Sequence, residues 1–179
     1  NITSILQRVT FPVLSTIQDD IPRLQVNYRR LLKLSAFIVF PLMIGLASVA
    51  SPLIQIVLTS RWEGCVLYLQ IICFALMWYP IHAINLNLLQ VKGRSDLFLR
   101  LEIIKKIIGV CILCVTIPLG ITAMCVGMVA ASLLALFINT FYTGKLINVG
   151  YIRQMLDLSP ILFNSFIMGG IVFISIQFI

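Results

Sequence analysis

The sequence has few charged residues and a single histidine. Charged residues make up 11% of its 179 residues and hydrophobic residues 60%, whereas a soluble domain has about a quarter charged. Thirteen basic and six acidic residues give a net charge of +7, which in a soluble protein would indicate nucleic-acid binding. Here the basic residues lie in short connectors between apolar runs, where they face lipid headgroups. The composition therefore indicates a membrane protein and excludes nucleic acid as a partner.

Long uncharged runs divide the chain. Four of them cover 27, 28, 38 and 22 residues, at positions 34–60, 64–91, 107–144 and 158–179. Because about 20 apolar residues cross a bilayer as a helix, the 38-residue run is long enough for two spans. Pro118 and Gly120 lie near its centre and mark a turn. The runs therefore provide five full spans.

The predicted fold class is all-α. The run from Leu34 to Leu58 is apolar on every face and lacks the alternation of a β-barrel strand. The predicted helices are about 1–18, 34–60, 64–91, 100–118 and 121–144, followed in 145–179 by a cytoplasmic connector and one trailing transmembrane helix. This is a polytopic bundle with five full spans and one partial span. Because the chain opens on Asn1 without an initiator methionine and stops inside an apolar run, we expect a fragment.

Basic residues alternate between successive connectors. Eleven lie in the first, third and fifth connectors, and Arg61 alone lies in the other two. Because basic loops are retained in the cytoplasm, the odd connectors are predicted to face inward. Lys105 and Lys106 belong to the third connector and are interpreted as topology determinants and headgroup anchors, with Glu102 and Lys106 as a helical ion pair.

The basic connectors also contain signals for helix starts. Asp20 can cap a helix that has Pro22 in its first turn. Ser159 followed by Pro160 has the pattern of an N-cap and a first helical residue. We therefore expect short helices on the membrane surface before the spans.

The sequence shows no catalytic or metal-binding constellation. Cys111 and Cys114 have a redox or metal spacing, but no histidine or second cysteine pair completes a site. The acidic residues all lie in or beside connectors, whereas a proton- or sodium-driven carrier usually has a carboxylate within its bundle. We expect no enzyme, no metal and no cofactor.

Polar residues within the apolar runs are the candidate binding residues. Arg8 is the one charge inside an apolar helix, and an intramembrane arginine is a functional candidate, with snorkelling to the interface as the alternative. His82 follows Pro80, and Asn85 and Asn87 lie on the inner half of the same helix. For His82 the alternative is a hydrogen-bonded packing role.

Four patterns along the chain resemble the second half of bacterial polysaccharide flippases. They are Phe11-Pro12-Val13-Leu14-Ser15-Thr16-Ile17-Gln18-Asp19-Asp20, then Tyr28-Arg29-Arg30, then Phe40-Pro41-Leu42-Met43-Ile44-Gly45-Leu46 with Ala50-Ser51-Pro52-Leu53-Ile54, and Lys92-Gly93-Arg94-Ser95-Asp96. The sequence is most similar to the lipopolysaccharide and capsular/colanic acid exporter branch of the multidrug/oligosaccharidyl-lipid/polysaccharide exporter superfamily.

The resemblance implies a transporter with two helical lobes. Residues 1–144 would form most of the C-terminal lobe, and the missing N-terminal lobe would be a partner, together with membrane lipids. The substrate would be an undecaprenyl-pyrophosphate-linked oligosaccharide, moved from the cytoplasmic to the periplasmic leaflet of the bacterial inner membrane for surface polysaccharide or lipopolysaccharide biosynthesis. Arg8 aligns with the cavity-side helix and is the first choice for a head-group contact.

Two other functions stay open. A cation-coupled drug antiporter of the same superfamily would share the fold and the connectors. A membrane-embedded polysaccharide-processing enzyme would need catalytic carboxylates or a long outer loop, and the short outer connectors argue against it.

Overall fold

The computed structural model describes residues 11–12 and 14–177, and this part of the chain is helical without any strand. The predicted all-α membrane bundle is therefore confirmed. From Ile21 onward, the helices are α1 (Ile21–Ser48), α2 (Ala50–Leu58), α3 (Cys65–Leu76), α4 (Tyr79–Val91), α5 (Ser95–Thr116), α6 (Ile121–Ile147) and α7 (Tyr151–Gln177). Short 3-10 turns, Ser60–Trp62 and Ile117–Leu119, precede α3 and α6.

Four segments of the described residues are long and apolar enough to cross a membrane. They are Ile21–Ser48, Cys65–Val91, Ile121–Ile147 and Tyr151–Ile176. Helix α5 is not among them, because several charged residues interrupt its first half. The count of five full spans stays a prediction, and most of the partial span 1–18 lies outside the described residues.

Most of the first and the last basic connector lies within membrane-spanning helices, not in separate surface helices. The Asp20 carboxylate accepts a hydrogen bond from the Arg23 N–H at 3.1 Å, which confirms the predicted cap. Helix α1 then continues without a break to Ser48, so the predicted start at residue 34 is wrong. Arginine, lysine and leucine are all good helix formers, so the basic segment changes the hydropathy of the chain and not its helicity.

The predicted helix start at Ser159 and Pro160 is also wrong. Both residues lie inside α7, which begins at Tyr151. Proline lacks the N–H that would bond the carbonyl four residues earlier, here that of Leu156. The Ser159 hydroxyl donates to that carbonyl at 3.1 Å, so the helix continues through Pro160.

Two predicted helices, 34–60 and 64–91, are each divided in the structure. Helix α1 ends at Ser48, four residues before Pro52, and α3 ends at Leu76, four residues before Pro80. A proline ring clashes with the carbonyl at this spacing, which gives both breaks a local cause.

The core lies between α1 and the pair α3–α4. Tyr28, Phe40, Ile81 and Leu88 are fully buried there, and the rings of Phe40 and Trp78 meet edge to face with centroids 5.3 Å apart. Helix α7 packs parallel to α1 on the other side, and α6 covers α3, α4 and α5. This arrangement leaves an opening between α4, α5 and α6.

Candidate functional site

An open cavity of about 660 Å³ lies between α4, α5 and α6. Its lining combines apolar walls with a few polar and charged side chains. The lining includes Tyr79, His82 and Leu86 of α4, Phe98, Glu102, Lys105 and Lys106 of α5, and Met128, Ser132 and Ala135 of α6.

Helical spacing brings these residues to the cavity. The α4 residues recur at intervals of three and four, and so do Phe98, Glu102 and Lys105 on α5. Side chains three and four positions apart share one face of a helix. Each helix therefore presents a single stripe to the cavity.

His82 connects α4 to α6 through a short polar network. Its Nε2 lies 3.3 Å from the Ser132 hydroxyl, which donates to the Ala75 carbonyl at 2.9 Å. Its Nδ1 lies 3.4 Å from the Asn139 amide nitrogen, which can only donate. Neutral imidazole with its proton on Nε2 satisfies both contacts. His82 therefore makes the hydrogen bonds expected of a packing residue, and its ring also lines the cavity.

Lys105 and Lys106 bring positive charge to the same cavity. Lys105 forms an ion pair with Glu102, and its side chain is 15% exposed. The predicted pairing of Glu102 with Lys106 is wrong, because the residue three positions along, Lys105, occupies the carboxylate. Lys106 has no ion-pair partner in the described part of the chain, so one ammonium group is available.

Lys105 was expected to anchor the chain to lipid headgroups, but the structure places it in the lining of the cavity. Helix α5 begins at Ser95, so Lys105 lies ten residues into it, about 15 Å along the axis. His82 lies nine residues before the end of α4 at Val91. The lysine is therefore level with the histidine on the antiparallel helix, at the depth of the cavity.

Of the candidates predicted from the sequence and described by the structure, His82 alone lines this cavity. The fully buried Asn85 accepts a hydrogen bond from the Tyr28 hydroxyl at 2.7 Å and donates to the Ile81 carbonyl at 2.9 Å. Asn87 is 3% exposed and also absent from the lining. Arg8 lies outside the described residues.

One acidic residue is more buried than the sequence indicated. The sequence places Asp157 in or beside a connector, and the structure places it inside α7 with a side chain that is 8% exposed. Arg29 binds its carboxylate with two hydrogen bonds, at 2.5 and 2.7 Å, and Lys33 lies 2.9 Å from it. Two cations thus compensate this buried charge.

The cavity is suited to binding an amphipathic anion. Ammonium groups form charge-assisted hydrogen bonds with phosphate oxygens, and the apolar walls accommodate hydrocarbon. Among residues 11–12 and 14–177, no group of three histidine, cysteine or acidic side chains could hold a metal ion.

Comparison with known proteins identifies one family model and several similar bacterial proteins. Residues 1–67 match the family model described as polysaccharide biosynthesis protein. The chain is 31% identical over 145 residues to a membrane protein of the cps region of Klebsiella pneumoniae, covering 80% of this chain and 30% of the relative. It is 29% identical over 136 residues to the lipopolysaccharide biosynthesis protein WzxC of Escherichia coli strain K12, covering 76% of this chain and 27% of the relative.

A relative from another bacterium extends the comparison. The teichuronic acid biosynthesis protein TuaB of Bacillus subtilis strain 168 is 29% identical over 96 residues, covering 54% of this chain and 20% of the relative. No solved structure matches the chain significantly. The chain spans about 30% or less of the length of these relatives. With its candidate spans, it is a multi-pass protein of the bacterial inner membrane.

Proposed function

Since the chain belongs to the family of polysaccharide biosynthesis membrane proteins, we propose that the whole protein moves a lipid-linked oligosaccharide across the bacterial inner membrane. The proposed substrate is an undecaprenyl-pyrophosphate-linked oligosaccharide, flipped from the cytoplasmic to the periplasmic leaflet for surface polysaccharide or lipopolysaccharide biosynthesis. The step is transport, and no bond of the substrate is broken or formed.

The cavity between α4, α5 and α6 is the observation that supports this proposal. A pyrophosphate carrying sugars cannot cross hydrocarbon unaided, because burying its charges without partners costs several kcal/mol or more. The cavity offers Lys105 and Lys106 to the phosphates and the apolar surface of Leu86, Phe98 and Met128 to the lipid. This pairing of cations with apolar walls matches both ends of the proposed substrate.

We assign distinct roles to the cavity residues. Lys106, which has no described ion-pair partner, would bind a phosphate directly. Lys105 would exchange Glu102 for a phosphate oxygen, and His82 would donate from Nε2 to the head group once Ser132 releases it. Arg8 remains the proposed contact from the first helix, where its guanidinium could bind a phosphate through two hydrogen bonds.

The N-terminal lobe of the same protein is the proposed partner of this chain. The relatives are about three times as long as the chain, which leaves room for a second lobe of similar construction. The two lobes would enclose the substrate between them and open alternately to the two leaflets. Transport is therefore proposed for the full-length protein.

Proteoliposomes containing the full-length protein provide the test. A fluorescent undecaprenyl-pyrophosphate oligosaccharide is incorporated, and its movement between leaflets is followed by quenching with an impermeant reductant. Replacing Lys106 with glutamine should slow movement about tenfold, the effect of losing one charge-assisted hydrogen bond worth roughly 1.5 kcal/mol. The matched control is Arg100→Gln, which removes one charge from the same helix at an exposed position outside the cavity.

The control separates a binding role from a general effect of charge. Equal slowing by Arg100→Gln, or normal movement in the lysine variant, would remove the cavity from the mechanism. Failure of wild-type protein to move the lipid while it expels cationic drugs would favour the antiporter, and a change in the oligosaccharide itself would favour the enzyme.

A further inference from the structure

A second opening lies along α1, separate from the cavity between α4, α5 and α6. It is an open groove of about 500 Å³ between α1 and α7. Along α1, Val26 comes first in the groove, three basic side chains follow, and apolar side chains form the other end. Its lining is Val26, Arg29, Arg30, Lys33, Leu34, Phe37 and Ile161.

The basic part of the groove carries an excess of two positive charges. Arg29, Arg30 and Lys33 contribute three, and the buried Asp157 compensates one. Arg30 is exposed and forms no ion pair with any described residue. A ligand that places a negative charge here would therefore meet a cation that has no competing carboxylate.

The apolar end of the groove begins at Leu34, which lies about one helical turn beyond Arg30. Leu34 is 51% exposed and Phe37 is 69% exposed, although both belong to a helix that is apolar enough to span a membrane. Phe37 lies seven residues beyond Arg30, about 10 Å along the axis. That separation is comparable to the distance from a lipid phosphate to the upper part of its acyl chains.

We propose that this groove binds one anionic phospholipid, with its phosphate on Arg30 and Lys33 and its acyl chain along Leu34, Phe37 and Ile161. Three features favour this ligand: the charge is positive, Arg30 and Lys33 are followed along the helix by exposed apolar side chains in the order of headgroup and chain, and the groove runs along a helix that is long and apolar enough to span a membrane. In the predicted orientation this end of α1 faces the cytoplasm, where the leaflet carries anionic lipid.

Asp157 acts as a positioning residue for this site. Its carboxylate holds Arg29 through two hydrogen bonds and contacts Lys33, so both basic side chains are fixed beside Arg30. Fixed cations lose less side-chain freedom when the phosphate binds than free ones would. This proposal does not depend on the transported substrate.

The test uses native mass spectrometry of the purified full-length protein with phosphatidylglycerol and phosphatidylethanolamine as probes. Phosphatidylglycerol should remain bound at concentrations where phosphatidylethanolamine is lost. Arg30→Gln should weaken phosphatidylglycerol binding about fivefold, which corresponds to roughly 1 kcal/mol for one basic residue near a lipid headgroup. Because Arg30 is exposed and forms no described ion pair, the substitution should leave the fold intact.

Arg153→Gln is the matched control, since Arg153 is an exposed arginine one turn before Asp157 and outside the groove. It should change binding less than twofold. Equal weakening by the two variants, or equal binding of both lipids by wild-type protein, would overturn the proposal. Displacement of phosphatidylglycerol by millimolar inorganic phosphate would also overturn it, since the site would then recognise the phosphate alone.

Discussion

Arg29 of α1 and Asp157 of α7 form a bidentate ion pair across 128 residues of sequence. The carboxylate also contacts Lys33, at 2.9 Å, and is almost completely shielded from solvent. Two parallel helices are therefore joined near their N-terminal ends, because both cations that compensate the carboxylate of α7 lie on α1.

Asp157→Asn should destabilise the protein. The substitution leaves two cations without their shared carboxylate, and loss of one partner of a buried pair costs about 3–5 kcal/mol. Because Arg29 and Lys33 are partly exposed, we expect a smaller loss of about 1–2 kcal/mol. Thermal unfolding of the full-length protein in detergent measures the effect.

The control for this prediction is Asp96→Asn. Asp96 is an exposed carboxylate whose pKa Arg94 lowers through a hydrogen bond, and such surface pairs contribute little to stability. Its unfolding temperature should match that of the wild type. An equal decrease in both variants would show that Asp157 has no special structural role.

Gly169→Ala should weaken the packing of α7 on α1. A Cβ atom at Gly169 would lie 2.5 Å from the Ile44 Cγ2 atom and 3.0 Å from the Ser48 hydroxyl, so the helices must separate or shift. Overpacking of this kind costs about 1–3 kcal/mol. The unfolding temperature should fall, and Ile44→Ala in the same protein should recover part of the loss.

The neighbouring glycine gives the control for this substitution. A Cβ atom at Gly170 meets nothing within 4 Å, so Gly170→Ala should be neutral or slightly stabilising in the helix. Equal stability of the two alanine variants would mean that α1 and α7 pack less closely than described.

Tyr28→Phe should destabilise the fold without a direct effect on substrate binding. The Tyr28 hydroxyl is the donor to the fully buried Asn85 oxygen, and an unsatisfied buried polar group costs about 1–3 kcal/mol. Asn85→Ala should cause a similar loss. If Asn85 binds substrate instead, Asn85→Ala would reduce transport per folded protein while the unfolding temperature stays unchanged.

The two ends of α5 should face opposite sides of the membrane. In a variant without the native cysteines, a cysteine at Ser95 should be protected from an impermeant thiol reagent added to intact cells, and one at Leu119 should react. Both positions are exposed, so accessibility within the protein does not distinguish them. Reaction at Ser95 with protection at Leu119 would reverse the predicted orientation.

The helical bundle could be predicted because its signal is local. Uncharged runs of more than 20 residues specify helices that suit a bilayer, whatever their partners. The helix starts of α1 and α7 could not be read from hydropathy, because the basic segments before the apolar runs are good helix formers. The end of α1 was in principle accessible, since Pro52 disfavours the helix at the carbonyl of Ser48.

The candidate site was only partly predictable for a different reason. His82, Asn85 and Asn87 were chosen because all three are expected at a similar depth in the membrane. Depth does not show which of them lie on the face of α4 that lines the cavity. The face is decided by α5 and α6, whose positions depend on packing over long sequence separations. Phe98, Glu102 and Lys105 recur at helical spacing in the sequence, but the spacing alone does not show that their stripe faces His82.

The uninterrupted course of α1 couples two regions that lie at its opposite ends. Its 28 residues include Pro41 and extend over about 42 Å, so a tilt of the whole helix by about 10° would displace one end by about 7 Å relative to the other. The groove between α1 and α7 lies in the N-terminal half of α1. The C-terminal end of α1, at Ser48, lies at the proline-induced break before α2. Any lever-like movement of α1 would therefore reach both, and the ion pair with Asp157 would carry α7 along.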